Sequence, residues 1–359
     1  MYAFKRKPDT SLLMSSNGAS ATIDPFTAQK VTTTSEMVSE RPASISIQLV
    51  LMVVVWYVSA VVTITSTKEV MNRMQLPFLL CLSQFAFASI LSFMYLHFTS
   101  SLKSVPTPAR SIVLQIAISY TLGFVLTNIA FSLGTASSVE TIKAGEPLTT
   151  VLLGLLLLKE SYSSSTYLSL LPICGGVALA CYNNDYFHAW SFTLAMASNF
   201  CFSARSVYTK VLNASNVSGF DEINLFYAIS WRGLVFLLPV TLLMEGRTML
   251  EIAFGNKSGI IGMGDVYSSA NFAFIALLLI LNGAMFAFYN LASYAVLKRT
   301  ELVTHSVLNV FRRVFIIAFT SVYFHVPLTV YSIVGVALAT MGVLLFSTSR
   351  KAAKGATKE

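Results

Sequence analysis

Ten stretches of about twenty mostly apolar residues recur along this chain, at about 46–67, 77–98, 111–133, 138–158, 166–184, 189–212, 223–243, 272–296, 304–324 and 329–348. As a helix, each is long enough to cross a hydrocarbon core about 30 Å thick. Lipid offers a backbone no hydrogen bonds, so apolar runs of this length can span only as helices. Hydrophobic residues make up 55% of the chain and charged residues 11%, less than half the roughly 25% charge of a soluble domain. The expected fold is an all-α polytopic membrane protein with ten transmembrane helices.

Ten is even, so both termini lie on one side, and the basic residues choose it. Roughly 15 lysines and arginines fall on the side of the termini, against about four (Lys68, Arg73, Arg247 and Lys257) on the other. By the positive-inside rule both termini are cytosolic. Residues 1–44 form a polar tail without an apolar segment of the kind a cleaved secretory signal needs, and a disordered cytosolic segment is expected. Asp9, Asp24, Glu36 and Glu40 argue against an acid-poor transit peptide despite the Lys5-Arg6-Lys7 run. Residues 45–348 are expected to form the membrane domain and 349–359 a basic cytosolic tail. The sequon at Asn256 falls in the long loop opposite the termini, where it can be modified; those at Asn213 and Asn216 face the cytosol.

GVALA occurs at Gly176–Ala180 and again at Gly335–Ala339, and Asn128 in the third stretch has a counterpart, Asn290, in the eighth. Both pairs sit at matching points of two five-span halves, about 46–184 and 189–348. Five is odd, so the halves enter from opposite sides: two inverted five-helix repeats, with a substrate site near the midplane between them.

Charge at membrane depth supplies the candidate site. Arg312 and Arg313 lie eight and nine residues into the stretch from Thr304 to Phe324, roughly 12–14 Å deep. Two arginines there cost on the order of 5–7 kcal/mol unless something anionic or aqueous meets them. Substrate binding is the first reading; satisfaction by carboxylates of neighbouring helices is the other. Lys143 and Glu146 stand in ETIKAGEPL, where Gly145 and Pro147 interrupt regular helix and free a carbonyl toward a cavity. Lys143 contacts substrate or pairs with Glu146 three residues on. Arg205 contacts substrate or bridges to Glu146 or Glu140, and Arg232 is structural or gating. These five cations face only Glu146 and the shallower Glu140, so a cavity of net positive charge is expected. That excess disfavours cation exporters and proton relays, which need buried carboxylates. Guanidinium forks match phosphate oxygens bidentately, and lysine adds a point charge, so a phosphorylated substrate fits.

Metal, cofactor and enzyme chemistry are not expected. Cys81, Cys174, Cys181 and Cys201 all lie in apolar stretches without metal-ligand spacing, and no base stands beside a nucleophile in any recognisable pattern. The net charge of +8 is spread over loops and tails, so it signals topology and not nucleic acid. Nothing here forms the ring of charges or filter of a channel.

The runs TIKAGEP at 141–147, YLSLLPICGGVALA at 167–180, SNFCFSARSVYTK at 198–210 and THSVLNVFRRVFI at 304–316 resemble the triose-phosphate translocator group of the drug/metabolite transporter superfamily, which also holds nucleotide-sugar carriers. The resemblance runs from about residue 46 to the basic tail. It implies a ten-helix antiporter exchanging a phosphorylated metabolite, such as triose phosphate, phosphoenolpyruvate or a sugar phosphate, for inorganic phosphate. It also implies substrate-binding roles for Lys143, for Thr127 sixteen residues earlier, for Tyr289, and for the pair Arg312 and Arg313, which stands where the family has Lys-Arg. Phe124 occupies a position where triose-phosphate members carry histidine, which leaves the substrate open. Keeping both charges of the pair favours a small phosphorylated metabolite over a nucleotide sugar. The alternatives are a nucleotide-sugar/nucleoside-monophosphate antiporter of the Golgi or ER, and a non-transporting receptor or scaffold. Golgi or ER membrane and plastid envelope both fit.

Overall fold

The computed structural model describes residues 47–182, 187–215, 220–253, 269–300 and 302–356, all within one unit, Ala43–Glu359. The sequon at Asn256 lies outside the described residues. In chain order the helices are α1 (Ile47–Met74), α2 (Pro77–Phe98), α3 (Arg110–Leu133), α4 (Ala136–Lys143), α5 (Glu146–Leu158), α6 (Ser164–Cys181), α7 (Ala189–Ala214), α8 (Glu222–Ala253), α9 (Ser269–Leu297), α10 (Leu302–Tyr323) and α11 (Val330–Ala356). The fourth apolar stretch is therefore two helices, broken at Ala144 and Gly145. Pro147 sits in the first turn of α5, where its missing N–H deprives no carbonyl of a partner.

Among the described residues, nine segments are long and apolar enough to cross a membrane, with α4 and α5 together forming one of them. Ala189–Ala214 is long enough as well, but Ser191, Ser198, Asn199, Ser203, Arg205 and Ser206 lower its hydropathy below that of the others. The chain is a polytopic α-helical membrane protein. Large apolar side chains point outward along the helices, as at Leu168, Leu171, Leu243 and Val322, which suits contact with lipid tails. Hydroxyls inside the helices return to carbonyls three or four residues back, as Ser59, Thr63, Ser89 and Thr320 do. No polar group of theirs is then left to the hydrocarbon.

Helix α1 packs on α9 and α3 on α7, while α2 lies against α8 and α9, α3 also touches α8, and α10 rests on α4 and α11. Phe85, Tyr120, Phe202, Phe226 and Phe286 fill the space among α2, α3, α7, α8 and α9. At the periphery α6 crosses α11 through the two GVALA segments. A Cβ on Gly176 would stand 2.5 Å from the Gly335 carbonyl oxygen and 2.9 Å from Ala339 Cα; one on Gly335 would stand 2.5 Å from the Gly176 carbonyl oxygen and 2.9 Å from Ala180 Cα. The obstacles are backbone atoms, so neither helix can yield by turning a side chain. Gly176→Ala is expected to destabilise the protein by about 1–3 kcal/mol through forced separation of the helices. A thermal melt of the purified protein in detergent would read this as a lowered midpoint; an unchanged midpoint would mean the crossing is loose.

Candidate substrate site

The α4–α5 break exposes backbone groups that other helices must satisfy. Asn199 of α7 donates its amide to the Ile142 carbonyl at 3.0 Å. The Glu146 carbonyl receives the hydroxyls of Thr149 at 2.9 Å and Thr150 at 3.0 Å, and Ser203 of α7 hydrogen-bonds to both threonines. Held this way, the break carries Glu140, Lys143 and Glu146 into the bundle.

There they border a cavity of about 370 Å³. Its walls include all eight residues singled out in the sequence: Lys143, Thr127, Tyr289, Arg312 and Arg313, with Phe124, Glu146 and Arg205. They come from α3, α4, α5, α7, α9 and α10, so residues up to 189 positions apart in sequence meet in one space (from Phe124 to Arg313).

Each charged group has its own setting. Lys143 is only 7% exposed; its ammonium donates to Thr127 Oγ1 at 3.1 Å and lies 4.6 Å from the Phe202 ring centroid. Thr127 passes its own proton to the Gly123 carbonyl, so its lone pairs face the lysine. Arg312 donates twice to Asn309 Oδ1, at 3.1 and 2.9 Å, and its guanidinium stands 5.7 Å from the rings of Trp56 and Tyr289. Arg313 spans two carboxylates: Nη1 reaches Glu140 Oε2 at 3.2 Å and Nη2 reaches Glu146 Oε2 at 3.1 Å. Arg205 lies over Tyr120, 5.5 Å from the ring centroid, and its buried Nε has no hydrogen-bond partner.

Several sequence expectations change here. Glu146 pairs with Arg313 and not with Lys143. Arg205 bridges to neither Glu140 nor Glu146. Arg232 is absent from the cavity lining; it donates to the Ala228 carbonyl one turn back at 2.9 Å. Glu140 is buried, only 3% exposed. The two members of the arginine pair thus differ: carboxylates satisfy Arg313, whereas Arg312 has a neutral amide. Four cations (Lys143, Arg205, Arg312 and Arg313) face two carboxylates, leaving two positive charges in the cavity.

Polar side chains floor one end of the cavity. Gln84 Nε2 donates to Asn282 Oδ1 at 2.9 Å, Asn128 Nδ2 to Gln84 Oε1 at 3.2 Å, and Asn282 Nδ2 reaches Ser66 and Thr67, each at 2.9 Å. The lining continues in the other direction to Leu297 and His305, and His305 stacks on Trp56 with centroids 4.8 Å apart. Sequence reasoning passed over Asn309 and the Trp56–His305 stack. The i,i+3 spacing of Asn309 and Arg312 is a signal for the first; nothing local marks the second.

Cations in excess within a cavity inside a bundle of membrane-length helices are what a carrier for anions needs, and comparison with known proteins agrees. Phosphoenolpyruvate/phosphate translocator 3, chloroplastic, of Oryza sativa subsp. japonica is 32% identical over 309 residues, which cover 85% of this chain and 75% of that one. Phosphoenolpyruvate/phosphate translocator 1, chloroplastic, of Arabidopsis thaliana is 30% identical over 302 residues, 84% of this chain and 71% of its own. Glucose-6-phosphate/phosphate translocator 2, chloroplastic, of Arabidopsis thaliana is 27% identical over 300 residues, 82% and 74%. The model of the Triose-phosphate Transporter family matches residues 47–347, nearly the whole helical part of the chain, and the protein belongs to that family.

Proposed function

We propose that the protein is a secondary antiporter exchanging a phosphorylated metabolite for inorganic phosphate by alternating access. The observation that carries this reading is the convergence of Lys143, Thr127, Tyr289, Arg312 and Arg313 on one cavity that holds two positive charges in excess. A phosphate monoester carries about 1.5–2 negative charges near neutral pH, and inorganic phosphate there is a mixture of monoanion and dianion, so either neutralises most of the excess. Arg312, held edge-on by Asn309 and flanked by aromatic rings, offers a pre-oriented fork, and Lys143 offers a mobile point charge. Arg205, with its unpartnered Nε, can meet a second anionic group at the far side of Tyr120. Closing the cavity empty leaves the excess charge in a low dielectric, whereas closing it around a dianion does not. The carrier then reorients only when loaded.

The architecture that goes with this reading is ten crossings in two inverted repeats spanning 45–348. Three pairings support it: α3 on α7 mirrors α9 on α1, α2 on α9 mirrors α8 on α3, and the α6–α11 crossing repeats itself when its halves are exchanged. The substrates in the relatives' names favour a phosphorylated metabolite, and their chloroplastic location favours a plastid envelope, with both termini in the cytosol by the lysine and arginine count.

Proteoliposomes loaded with inorganic phosphate are expected to take up labelled phosphate, and those loaded with buffer alone to take up at least about tenfold less, because the unloaded return step is blocked. Equal uptake with and without internal phosphate would overturn obligatory exchange.

A further inference from the structure

A second cavity, of about 250 Å³, lies between the α4–α5 break, α10 and α11. Lys143, Glu146, Asn309 and Arg313 border both this side cavity and the substrate cavity, so the two meet at the break. Beyond that polar border the wall is largely apolar: Val310, Val314 and Ile317 of α10 line it together with Val336, Val343 and Phe346 of α11. Four of the five hydroxyls in the lining are already bonded within the protein. Thr141 donates to the Ser137 carbonyl at 2.8 Å, Thr150 to the Glu146 carbonyl at 3.0 Å and Ser206 to the Phe202 carbonyl at 3.0 Å, while Ser306 pairs with Ser347 at 2.9 Å. The acid of the lining, Glu146, is held by Arg313 at 3.1 Å. A polar ligand gains little in such a space, whereas hydrocarbon leaves water for it at no loss of hydrogen bonds.

We propose that the side cavity takes the apolar tail of a phosphate monoester whose phosphate occupies the substrate cavity, so that alkyl phosphates bind the carrier more tightly than small phosphate esters and compete with phosphate exchange. The inference rests on the phosphate-exchange reading above and adds a ligand class that the substrate cavity alone does not hold. The phosphate sits at Lys143 and Arg312, and the tail passes Asn309 and Arg313 into the space between α10 and α11. A cavity of about 150 Å³ accepts the six carbons of benzene, so about 250 Å³ has room for a tail of roughly six to ten carbons. Charge at one end and hydrocarbon at the other make the pair of cavities complementary to a single-tailed amphiphilic anion.

A series of tail lengths tests it. Methyl, butyl and hexyl phosphate each compete against labelled phosphate entering phosphate-loaded proteoliposomes of the full-length protein. A methylene that leaves water for an apolar site gains up to about fourfold in affinity. Hexyl phosphate is therefore expected to half-inhibit at a concentration at least about 30-fold below that of methyl phosphate, with butyl phosphate between them. Hexanol, which has the tail without the phosphate, is expected to leave exchange unchanged at the same concentration. Val336→Phe puts a ring into the side cavity from a position outside the substrate cavity, and Val343→Phe does the same two turns along α11 should the first variant not fold. In either, the gap between hexyl and methyl phosphate is expected to fall below about threefold, with methyl phosphate inhibiting as in the wild type. Wild-type inhibition by methyl and hexyl phosphate within about threefold of each other overturns the proposal without any variant. Hexanol inhibiting as strongly as hexyl phosphate does so too, because the tail then acts through the bilayer. A gap of wild-type size in the filled variants puts the tail elsewhere and overturns the side cavity as its site. All three outcomes leave phosphate exchange standing; absence of phosphate-for-phosphate exchange in the wild type overturns the exchange reading itself, and this inference with it.

Discussion

Lys143→Met is expected to lower phosphate exchange by about 10²–10³-fold while leaving the protein folded. On the proposed reading Lys143 meets the substrate's phosphate, and deleting one partner of such a buried charge pair costs roughly 2–5 kcal/mol. The intact fold follows from what Lys143 touches. It belongs to no ion pair among the described residues; its ammonium donates to Thr127, and Thr127 keeps its own bond to the Gly123 carbonyl when the lysine is gone. Methionine has a similar length, and its thioether packs well against the Phe202 ring that the ammonium now faces. Removing a desolvated charge also removes its burial cost. Exchange in proteoliposomes and a thermal melt in detergent, run on the same preparation, check both halves. Exchange within about threefold of the wild type would make the lysine a structural donor to Thr127 and nothing more.

Charges at membrane depth made most of this site legible in the sequence. Lys143, Arg312 and Arg313 stand out because hydrocarbon tolerates such groups only for a reason, and the structure brings them to one cavity. The helix break was readable from Gly145 and Pro147, since neither sits easily inside a helix. The burial of Glu140 was not readable along its own helix. Its burial comes from α7 and α10 packing against the start of α4, and linear depth contains nothing of that. Which arginine of the pair meets carboxylates was equally hidden: neighbours in sequence, Arg312 and Arg313 point about 100° apart around α10, one toward Asn309 and the other toward the α4–α5 break. The aromatic lining of the cavity draws on α3, α7 and α9, each ring looking like ordinary core in its own segment. Long-range packing, absent from any single stretch, decided those details.

Arg313→Gln is expected to fail in two separable ways, and the comparison with Lys143→Met gives the result its meaning. Glutamine leaves Glu140 and Glu146 without their shared cation, and Glu140 has only 4% of its side chain exposed. Breaking a buried pair by removing one partner costs about 3–5 kcal/mol, so the melting midpoint should fall, as it does not in Lys143→Met. Exchange should fall by about 10²-fold or more as well, because the cavity loses half of its excess charge and, on the proposed reading, a donor to the phosphate. The triple variant Glu140→Gln, Glu146→Gln, Arg313→Gln removes the orphaned carboxylates together with their partner. Its midpoint is expected to recover to near the wild type, since neutral amides can bond to one another where unpaired carboxylates repel, yet exchange should stay lost. Recovery of both would assign Arg313 to holding α10 against the α4–α5 break and take it out of the binding site. Recovery of stability alone assigns it both tasks: the carboxylates keep the guanidinium in place while the cavity is empty, and the incoming phosphate competes with them for its N–H groups, so that binding loosens the contact between α10 and the break at the step when the carrier must move.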